Sequence, residues 1–154
     1  MLKKIFLLFL ILFTFSCGYN ITHSKKNKIS YDFAISELSF LGDRDVNLKI
    51  KEKLNSYTLD KQNKNFALEI TSFTKKEVLA KNISGDPTSF KSTIIISVNV
   101  LLENKLKNNL QIVESFNYNN QKDKFDLKKY ERDIRSNLAE TATDKLIFKL
   151  SNIQ

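Results

Sequence analysis

Hydrophobic and polar positions alternate along four stretches of the chain, and an alternation with a period of two predicts half-buried β-strands. The first stretch places Tyr31, Phe33 and Ile35 on one face. In the other three, the positions that share the apolar face are Phe66, Leu68 and Ile70; Ile94, Ile96, Val98, Val100 and Leu102; and Leu110, Ile112, Phe116 and Tyr118. The second strand is predicted to continue to Leu79.

Two further stretches carry apolar residues at steps of three and four, which is the spacing of one face of an amphipathic α-helix. The first helix is predicted to begin at Asp43 as its N-cap and to end near Tyr57. The second reaches the C-terminus, with Asp126 as its predicted cap. The apolar positions are Val46, Ile50, Leu54 and Tyr57, and then Leu127, Tyr130, Ile134, Leu138, Ala142, Leu146 and Leu150.

The elements follow in the order strand, helix, three strands, helix. Polar turns, the strongest at Gly85-Asp86-Pro87, separate the three consecutive strands and favour antiparallel neighbours. Both helices can bury their apolar faces against the same side of a sheet. The sequence therefore predicts an α+β two-layer sandwich, with a four-stranded, largely antiparallel sheet and two helices on one face. The other face is predicted to carry Ser, Thr and Asn rather than large apolar groups.

The N-terminus has the pattern of a targeting segment. Lys3 and Lys4 precede an apolar run from Ile5 to Phe15. As a helix this run is about 16 Å long, whereas the hydrocarbon core of a bilayer is ~30 Å thick. Residues 1–16 are therefore predicted to be a signal peptide rather than a membrane span.

The only cysteine follows that run directly. Thr14-Phe15-Ser16-Cys17 resembles the lipobox of bacterial lipoproteins, which usually has Leu where Thr14 stands. The resemblance implies cleavage between Ser16 and Cys17, a diacylglycerol on the cysteine sulfur and an N-acyl lipid on its new amine. Gly18, where an Asp would favour the inner membrane, indicates the outer membrane. The alternative is an unused or buried thiol after an ordinary signal peptide.

Cleavage changes the charge that needs an explanation. The whole chain carries a formal net charge of +8, and removal of Lys3 and Lys4 leaves +6 on 138 residues. Residues 17–29 are predicted to be a lipidated tether and residues 30–154 a single domain. Because the protein is expected to be exported, nucleic acid is not an expected partner. An anionic lipid or an acidic protein surface fits the basic charge better.

The composition argues against catalysis. One Cys, one His and three Gly leave no internal disulfide, no Cys/His zinc site and no glycine-rich phosphate loop. His23 is interpreted as a solvated tether residue. The acidic pair Asp43 and Asp45 is interpreted as a helix start, and Glu131 with Asp133 as a solvent-exposed helix face. We therefore expect a protein that is not an enzyme and holds neither a metal nor a non-covalent cofactor.

Six lysines flank two predicted turns at opposite ends of the third strand, the first at Gly85-Asp86-Pro87 and the second from Lys105 to Asn109. They are interpreted as candidates for capturing phosphates or carboxylates of an anionic glycolipid through charge-assisted hydrogen bonds. The alternative is that they are solvated charges that keep strand edges and turns soluble. The candidates are Lys75, Lys76, Lys81 and Lys91 around the first turn, and Lys105 and Lys107 at the second.

Three features together resemble the LptE family of lipopolysaccharide-assembly lipoproteins. The first is the element order, and the second is the start Cys17-Gly18-Tyr19. The third is the C-terminal pattern, which consists of Ser115-Phe116-Asn117-Tyr118-Asn119, a short polar link, Asn137-Leu138-Ala139-Glu140 and Asp144-Lys145-Leu146-Ile147-Phe148-Lys149-Leu150.

The resemblance implies a role without catalysis at the outer membrane. Proteins of this family plug the lumen of the LptD β-barrel, support its folding and help to deliver lipopolysaccharide to the outer leaflet, with basic residues implicated in binding it. The expected partners are therefore an LptD-like barrel, lipopolysaccharide and, through the lipid anchor, the outer membrane. The alternative is another outer-membrane lipoprotein, such as an auxiliary lipid-binding subunit of an ABC-type lipid-transport system. A periplasmic enzyme is the third hypothesis.

Overall fold

A computed structural model describes residues 32–58 and 64–153. These residues belong to one compact unit, residues 31–154. Its elements are β1 (Ala34–Gly42), α1 (Arg44–Leu54) with a following 3-10 turn (Asn55–Tyr57), β2 (Asn65–Lys81), β3 (Pro87–Leu102), β4 (Lys105–Asn119) and α2 (Lys124–Ser151). The predicted order of elements and the α+β fold are confirmed.

The strands form one sheet in the order β1-β2-β3-β4. The last three make an antiparallel meander, as the short turns predict. β1 runs parallel to β2, because α1 returns the chain towards the end of the sheet at which β1 began. The sheet is therefore mixed at β1 and antiparallel elsewhere.

Both helices pack on one face of this sheet, and the core lies between the two layers. Inward-facing positions alternate along β2 and β3, while α1 and α2 each supply an apolar stripe. Truncating one such side chain to Ala typically costs about 2–5 kcal/mol. The residues buried to 1% exposure or less include Val46, Ile50, Leu54, Phe66, Leu68, Ile70, Ile94, Ile96, Val98, Val100, Ala142, Leu146 and Leu150.

Each helix begins at an aspartate that accepts backbone N–H groups. Asp43 caps α1 as predicted, with hydrogen bonds of 3.0 and 3.2 Å to two backbone nitrogens. The prediction of Asp126 as the cap of α2 is wrong, because Asp123 accepts the N–H groups of Phe125 and Asp126 at 2.6 and 3.0 Å. The apolar stripe begins only at Leu127, so it does not reveal the polar first turn. Asp126 lies in that turn, where its negative charge interacts favourably with the helix dipole.

The face of the sheet that neither helix covers carries large apolar residues, which the sequence did not predict. Phe73, Ile95 and Val113 lie side by side across β2, β3 and β4 and form an apolar row on this open face. Phe73 is 60% exposed and Val113 is 53% exposed. The expectation that this face lacks large apolar groups is therefore wrong at its centre.

Beside this row the open face carries polar side chains, although Leu41 of β1, which is 70% exposed, is a further large apolar residue on it. Glu69, Asn99 and Asn109 form a hydrogen-bonded ladder across three strands. Asn99 Nδ2 donates to Glu69 Oε2 at 3.1 Å, and Asn109 Nδ2 donates to Asn99 Oδ1 at 2.7 Å. Such a ladder fixes amide groups whose free hydrogen-bonding capacity faces outwards.

β1 ends at Gly42, where its backbone lies close to that of β2. Gly42 has a φ of +93°, and a Cβ placed there would lie 1.9 Å from the carbonyl oxygen of Ser72. The next residue, Asp43, donates its N–H to that same oxygen at 3.1 Å. Glycine is therefore required both for the left-handed backbone and for the close approach.

We predict that Gly42→Ala lowers the free energy of unfolding by about 3 kcal/mol or more, because a left-handed alanine and a backbone collision add together. Gly85→Ala is the matched control, since Gly85 has a φ of +86° with open space around it. The control should cost only about 1 kcal/mol. Urea denaturation followed by circular dichroism measures both, and equal losses would contradict the close approach at Gly42.

Candidate functional site

The predicted lipid anchor lies outside the described residues, together with Ser16, the rest of the signal peptide and the tether. All six candidate lysines lie within the described part of the chain. The site can therefore be built from the basic surface of the folded domain.

The lysines form two separate groups, at opposite ends of β3 as predicted. Lys75, Lys76 and Lys81 lie on β2, and Lys91 lies near the start of β3. Lys105 pairs with Leu102, eleven positions along β3 from Lys91. At about 3.3 Å per residue the two groups are roughly 35 Å apart, so they cannot bind the same small anionic group.

The first group lies on a projecting part of the sheet, which we call the overhang. β1 stops at Gly42, opposite Ser72, whereas β2 continues through Phe73–Lys81. In the part of the chain that the structure describes, no strand pairs with this stretch on the side of β1. The overhang therefore consists of the paired β2 and β3 beyond Ser72, with the end of β4 beside them.

Lys75 and Lys91 lie on the open face of the overhang, around Glu77. Lys75 Nζ lies 2.9 Å from Glu77 Oε1, and Lys91 pairs with Glu77 across the strands. The hydrogen bond from Lys75, with the charges of Lys75 and Lys91, holds the pKa of Glu77 below its ordinary value. Two lysines around one carboxylate leave an excess of positive charge, and Lys81 adds to it at the tip.

Lys76 lies on the opposite face of the sheet, where it already contacts a carboxylate and an aromatic ring. Its Nζ lies 2.5 Å from Glu131 Oε1 of α2 and 4.0 Å from the centre of the Phe90 ring. The hydroxyl of Tyr118 donates to the same carboxylate oxygen at 2.9 Å. These four residues, Lys76, Phe90, Tyr118 and Glu131, form a clamp that joins the overhang to α2.

The clamp also changes the interpretation of Glu131. The sequence predicts that Glu131 lies on a solvent-exposed helix face, but its side chain is only 15% exposed and contacts the sheet instead. Burial of Tyr118 and its hydrogen bond to Glu131 raise the pKa of the tyrosine hydroxyl. The hydroxyl therefore remains a proton donor at neutral pH.

The second lysine group faces the C-terminal end of α2. Lys107 lines a shallow groove of about 540 Å³ together with Phe148, Lys149 and Ile153. Lys149 is thus a basic neighbour of Lys107 that sequence spacing did not reveal. The groove is far from the overhang and forms a separate basic surface.

Basic residues at the start of α2 join the overhang in space. β4 ends at Asn119, opposite Ser89, so α2 begins beside the β2–β3 turn. Residues 73–91 and 119–135 contain ten Lys or Arg and six Asp or Glu, a net charge of +4. Residues 32–58 and 64–153 together carry only +3. The positive excess of the described domain is therefore concentrated at this end.

Within residues 32–58 and 64–153, no three His, Cys, Asp or Glu side chains are grouped closely enough to hold a metal ion. In the same ranges, no helix combines the length and the apolar character that crossing a bilayer requires.

We predict that Lys76→Met lowers the free energy of unfolding by about 1–2 kcal/mol, because it leaves the largely buried Glu131 without its cation. Lys75→Met, at the adjacent exposed position, is the matched control and should change stability by less than about 0.5 kcal/mol. Urea denaturation at neutral pH compares the two. An unchanged Lys76→Met protein would show that the clamp contributes nothing to stability.

The sequence matches no family model and no curated protein. The fold, however, is shared with solved structures of bacterial lipoproteins. Rare lipoprotein B from Shewanella oneidensis superimposes with a TM-score of 0.58 at 15% identity, over 75% of this chain and 93% of that chain. A minor lipoprotein from Acinetobacter baumannii gives 0.56 at 12% identity, over 79% and 91%.

A third structure, lipoprotein B from Nitrosomonas europaea, gives 0.56 at 12% identity, over 79% of this chain and 86% of that chain. At such identities the likeness concerns the fold. The two-layer α+β domain of this chain is therefore the fold of these bacterial lipoprotein structures.

Proposed function

We propose that this protein is an outer-membrane lipoprotein that plugs an LptD-like β-barrel, helps that barrel to assemble, and takes part in lipopolysaccharide transport. The observation that carries the proposal is the fold, which is shared with three bacterial lipoproteins. It occurs in a chain whose single cysteine follows a signal-peptide pattern at the position that a lipobox requires.

The anchor would be Cys17. A diacylglycerol and an N-acyl chain together bury many methylene groups, and each contributes about 0.8 kcal/mol to membrane binding. Residues 17–29 would then tether the domain to the periplasmic side of the outer membrane. Gly18 supports that membrane rather than the inner one.

The open face suits a partner with a polar lumen. The ladder of Glu69, Asn99 and Asn109 presents hydrogen-bonding groups to its surroundings. The row of Phe73, Ile95 and Val113 offers an apolar contact at its centre. Polar side chains around a small apolar centre are typical of wet protein interfaces, and the lumen of an outer-membrane barrel is polar.

The open face and tip of the overhang suit lipopolysaccharide, an amphiphile with both phosphates and acyl chains. Lys75, Lys81 and Lys91 supply positive charge there. Exposed apolar residues lie next to them, and Ile83 in the turn is fully exposed. Cations beside apolar side chains match an anionic lipid in both respects. The same match would serve an auxiliary lipid-binding subunit of an ABC-type transporter, which is the second candidate function.

We predict that the full-length protein, extracted from the outer membrane in mild detergent, copurifies with one equivalent of a large β-barrel protein. Cys17→Ala should abolish outer-membrane fractionation, because the acyl chains are lost. Ser16→Ala is the control, since it keeps a small residue before the cleavage point.

Two outcomes count against parts of this proposal. Recovery of the protein alone, or with an ABC transporter, would overturn the barrel partnership. Unchanged outer-membrane fractionation of Cys17→Ala would overturn the anchor.

We also predict that Lys75→Glu, Lys81→Glu and Lys91→Glu together weaken lipopolysaccharide binding about tenfold and reduce its salt sensitivity, because fewer charges contribute. Lys105→Glu, Lys107→Glu and Lys149→Glu together, at the other end of the sheet, change the net charge by the same amount and are the control. Fluorescence titration with labelled lipopolysaccharide at two salt concentrations measures the effect. Equal losses in both variants would show that only net charge matters.

A further inference from the structure

Arginine is rare in this chain and unevenly placed. Only three of the 25 Lys and Arg residues are arginines. Arg132 and Arg135 lie one turn apart on α2, and Arg44 is the first residue of α1. A guanidinium presents its donors in a planar fork that grips two oxygens of a phosphate, which a lysine ammonium cannot do.

The two arginines of α2 line a depression of about 380 Å³, with Phe125, Lys128 and Glu131 as its other lining residues. Three cations therefore face one carboxylate. Phe125, which is 71% exposed, adds an apolar wall. The depression has the size and the charge of a site for a small anion.

The one carboxylate that lines the depression already accepts hydrogen bonds from other residues. Glu131 Oε1 accepts hydrogen bonds from Lys76 and from the Tyr118 hydroxyl. In contrast, Lys128, Arg132 and Arg135 form no ion pair with any residue that the structure describes. Their charge is therefore available to a ligand.

Arg135 interacts with the charge of Asp43 but forms no hydrogen bond with it. Burial acts to raise the pKa of Asp43, but hydrogen bonds from Thr74 and the backbone, with the charge of Arg135, hold it below its ordinary value. Both oxygens of Asp43 accept hydrogen bonds from uncharged donors, including the Thr74 hydroxyl at 2.8 Å. The donors of Arg135 therefore remain free to bind an anion.

The opposite side of the same arginines is less suitable. There, Arg132 and Arg135 border a larger groove of about 560 Å³ against α1. That groove also contains Lys49, but the carboxylates of Asp45, Glu52 and Asp133 offset its three cations. The charge pattern therefore directs an anion to the side that holds Lys128.

We propose that this depression binds a phosphoryl group, with Arg132 and Arg135 holding its oxygens and Lys128 adding positive charge. Phe125 contacts the group that carries the phosphate. The site lies on α2, whereas Lys75 and Lys91 lie on the open face of the sheet, so the two are separate. It does not depend on a barrel partner and would be present equally in a lipoprotein that works alone.

The rarity of arginine provides a direct test. In ¹⁵N-labelled full-length protein in maltoside detergent, three arginines give three Nε–H signals, which Arg→Lys variants assign. Pyrophosphate should shift the signals of Arg132 and Arg135 and leave that of Arg44 in place. Equal shifts of all three, or the same shifts with sodium chloride at equal ionic strength, would overturn the site.

Lysine variants distinguish bidentate binding by the guanidinium groups from attraction by positive charge alone. Arg132→Lys with Arg135→Lys keeps both charges and should bind pyrophosphate at least about tenfold more weakly, because bidentate contacts are lost. Arg44→Lys is the matched control and should bind as the unchanged protein does. Arg132→Lys alone, at an exposed position, serves if the double variant fails to fold. Unchanged affinity in the variants that fold would overturn the proposal.

The same signals distinguish two sources of the phosphoryl group. Short-chain phosphatidic acid added to the detergent micelles represents a lipid headgroup, with phosphatidylcholine of the same chain length as its control. Shifts at lower concentrations of phosphatidic acid than of pyrophosphate would support a phosphorylated lipid. Shifts at equal or lower pyrophosphate concentrations would support a free phosphoryl ligand. A response to neither would overturn the proposal.

Discussion

The close contact between Gly42 and Ser72 determines the shape of the whole domain. Because Gly42 adopts a left-handed backbone against the Ser72 carbonyl, the chain leaves the sheet there and Asp43 caps α1 directly afterwards. β2 and β3 then extend past β1 as the overhang. Every basic residue of the first group lies on that projection, so the surface proposed to bind anions exists because the first strand is short.

The overhang would be a weakly supported two-sided projection without the clamp. Long β-hairpins gain little stability unless one face packs on another element. Here Phe90 and Tyr118 are buried in the apolar core, and Lys76 and the Tyr118 hydroxyl contact Glu131 on α2. A polar contact therefore adds to the apolar packing at this end of the sheet. The clamp links the two parts of the chain that contribute the positive charge.

The strands, the helices and their order could be predicted because alternation and helical spacing are local properties. The first cap could be predicted since Asp43 directly precedes an apolar stripe. The second cap could not, because Asp123 precedes a polar turn. The apolar row on the open face could not be predicted either. Phe73 does not belong to the alternating set of buried residues in β2, and only the strand register shows that it lies beside Ile95 and Val113.

The charge of the candidate residues could be predicted from the sequence, but the face of the sheet on which each side chain lies could not. Lys75 and Lys76 are neighbours in the chain, yet one faces the open side and the other contacts a helix that begins far along the sequence. The role of Glu131 depended on the same long-range contact. Arg132 and Arg135 fitted an ordinary helix surface, and only the depression around them distinguishes them from the many lysines.

Lys76 connects stability with the charge of the proposed phosphoryl site. Its ammonium group and the Tyr118 hydroxyl both contact the single carboxylate that lines the depression. While that contact holds, the charge of Glu131 is balanced from the sheet, and the three cations on α2 are left in excess. Lys76 therefore need not touch an anion to favour its binding. Its position behind Glu131 keeps the depression positive and at the same time joins the overhang to α2.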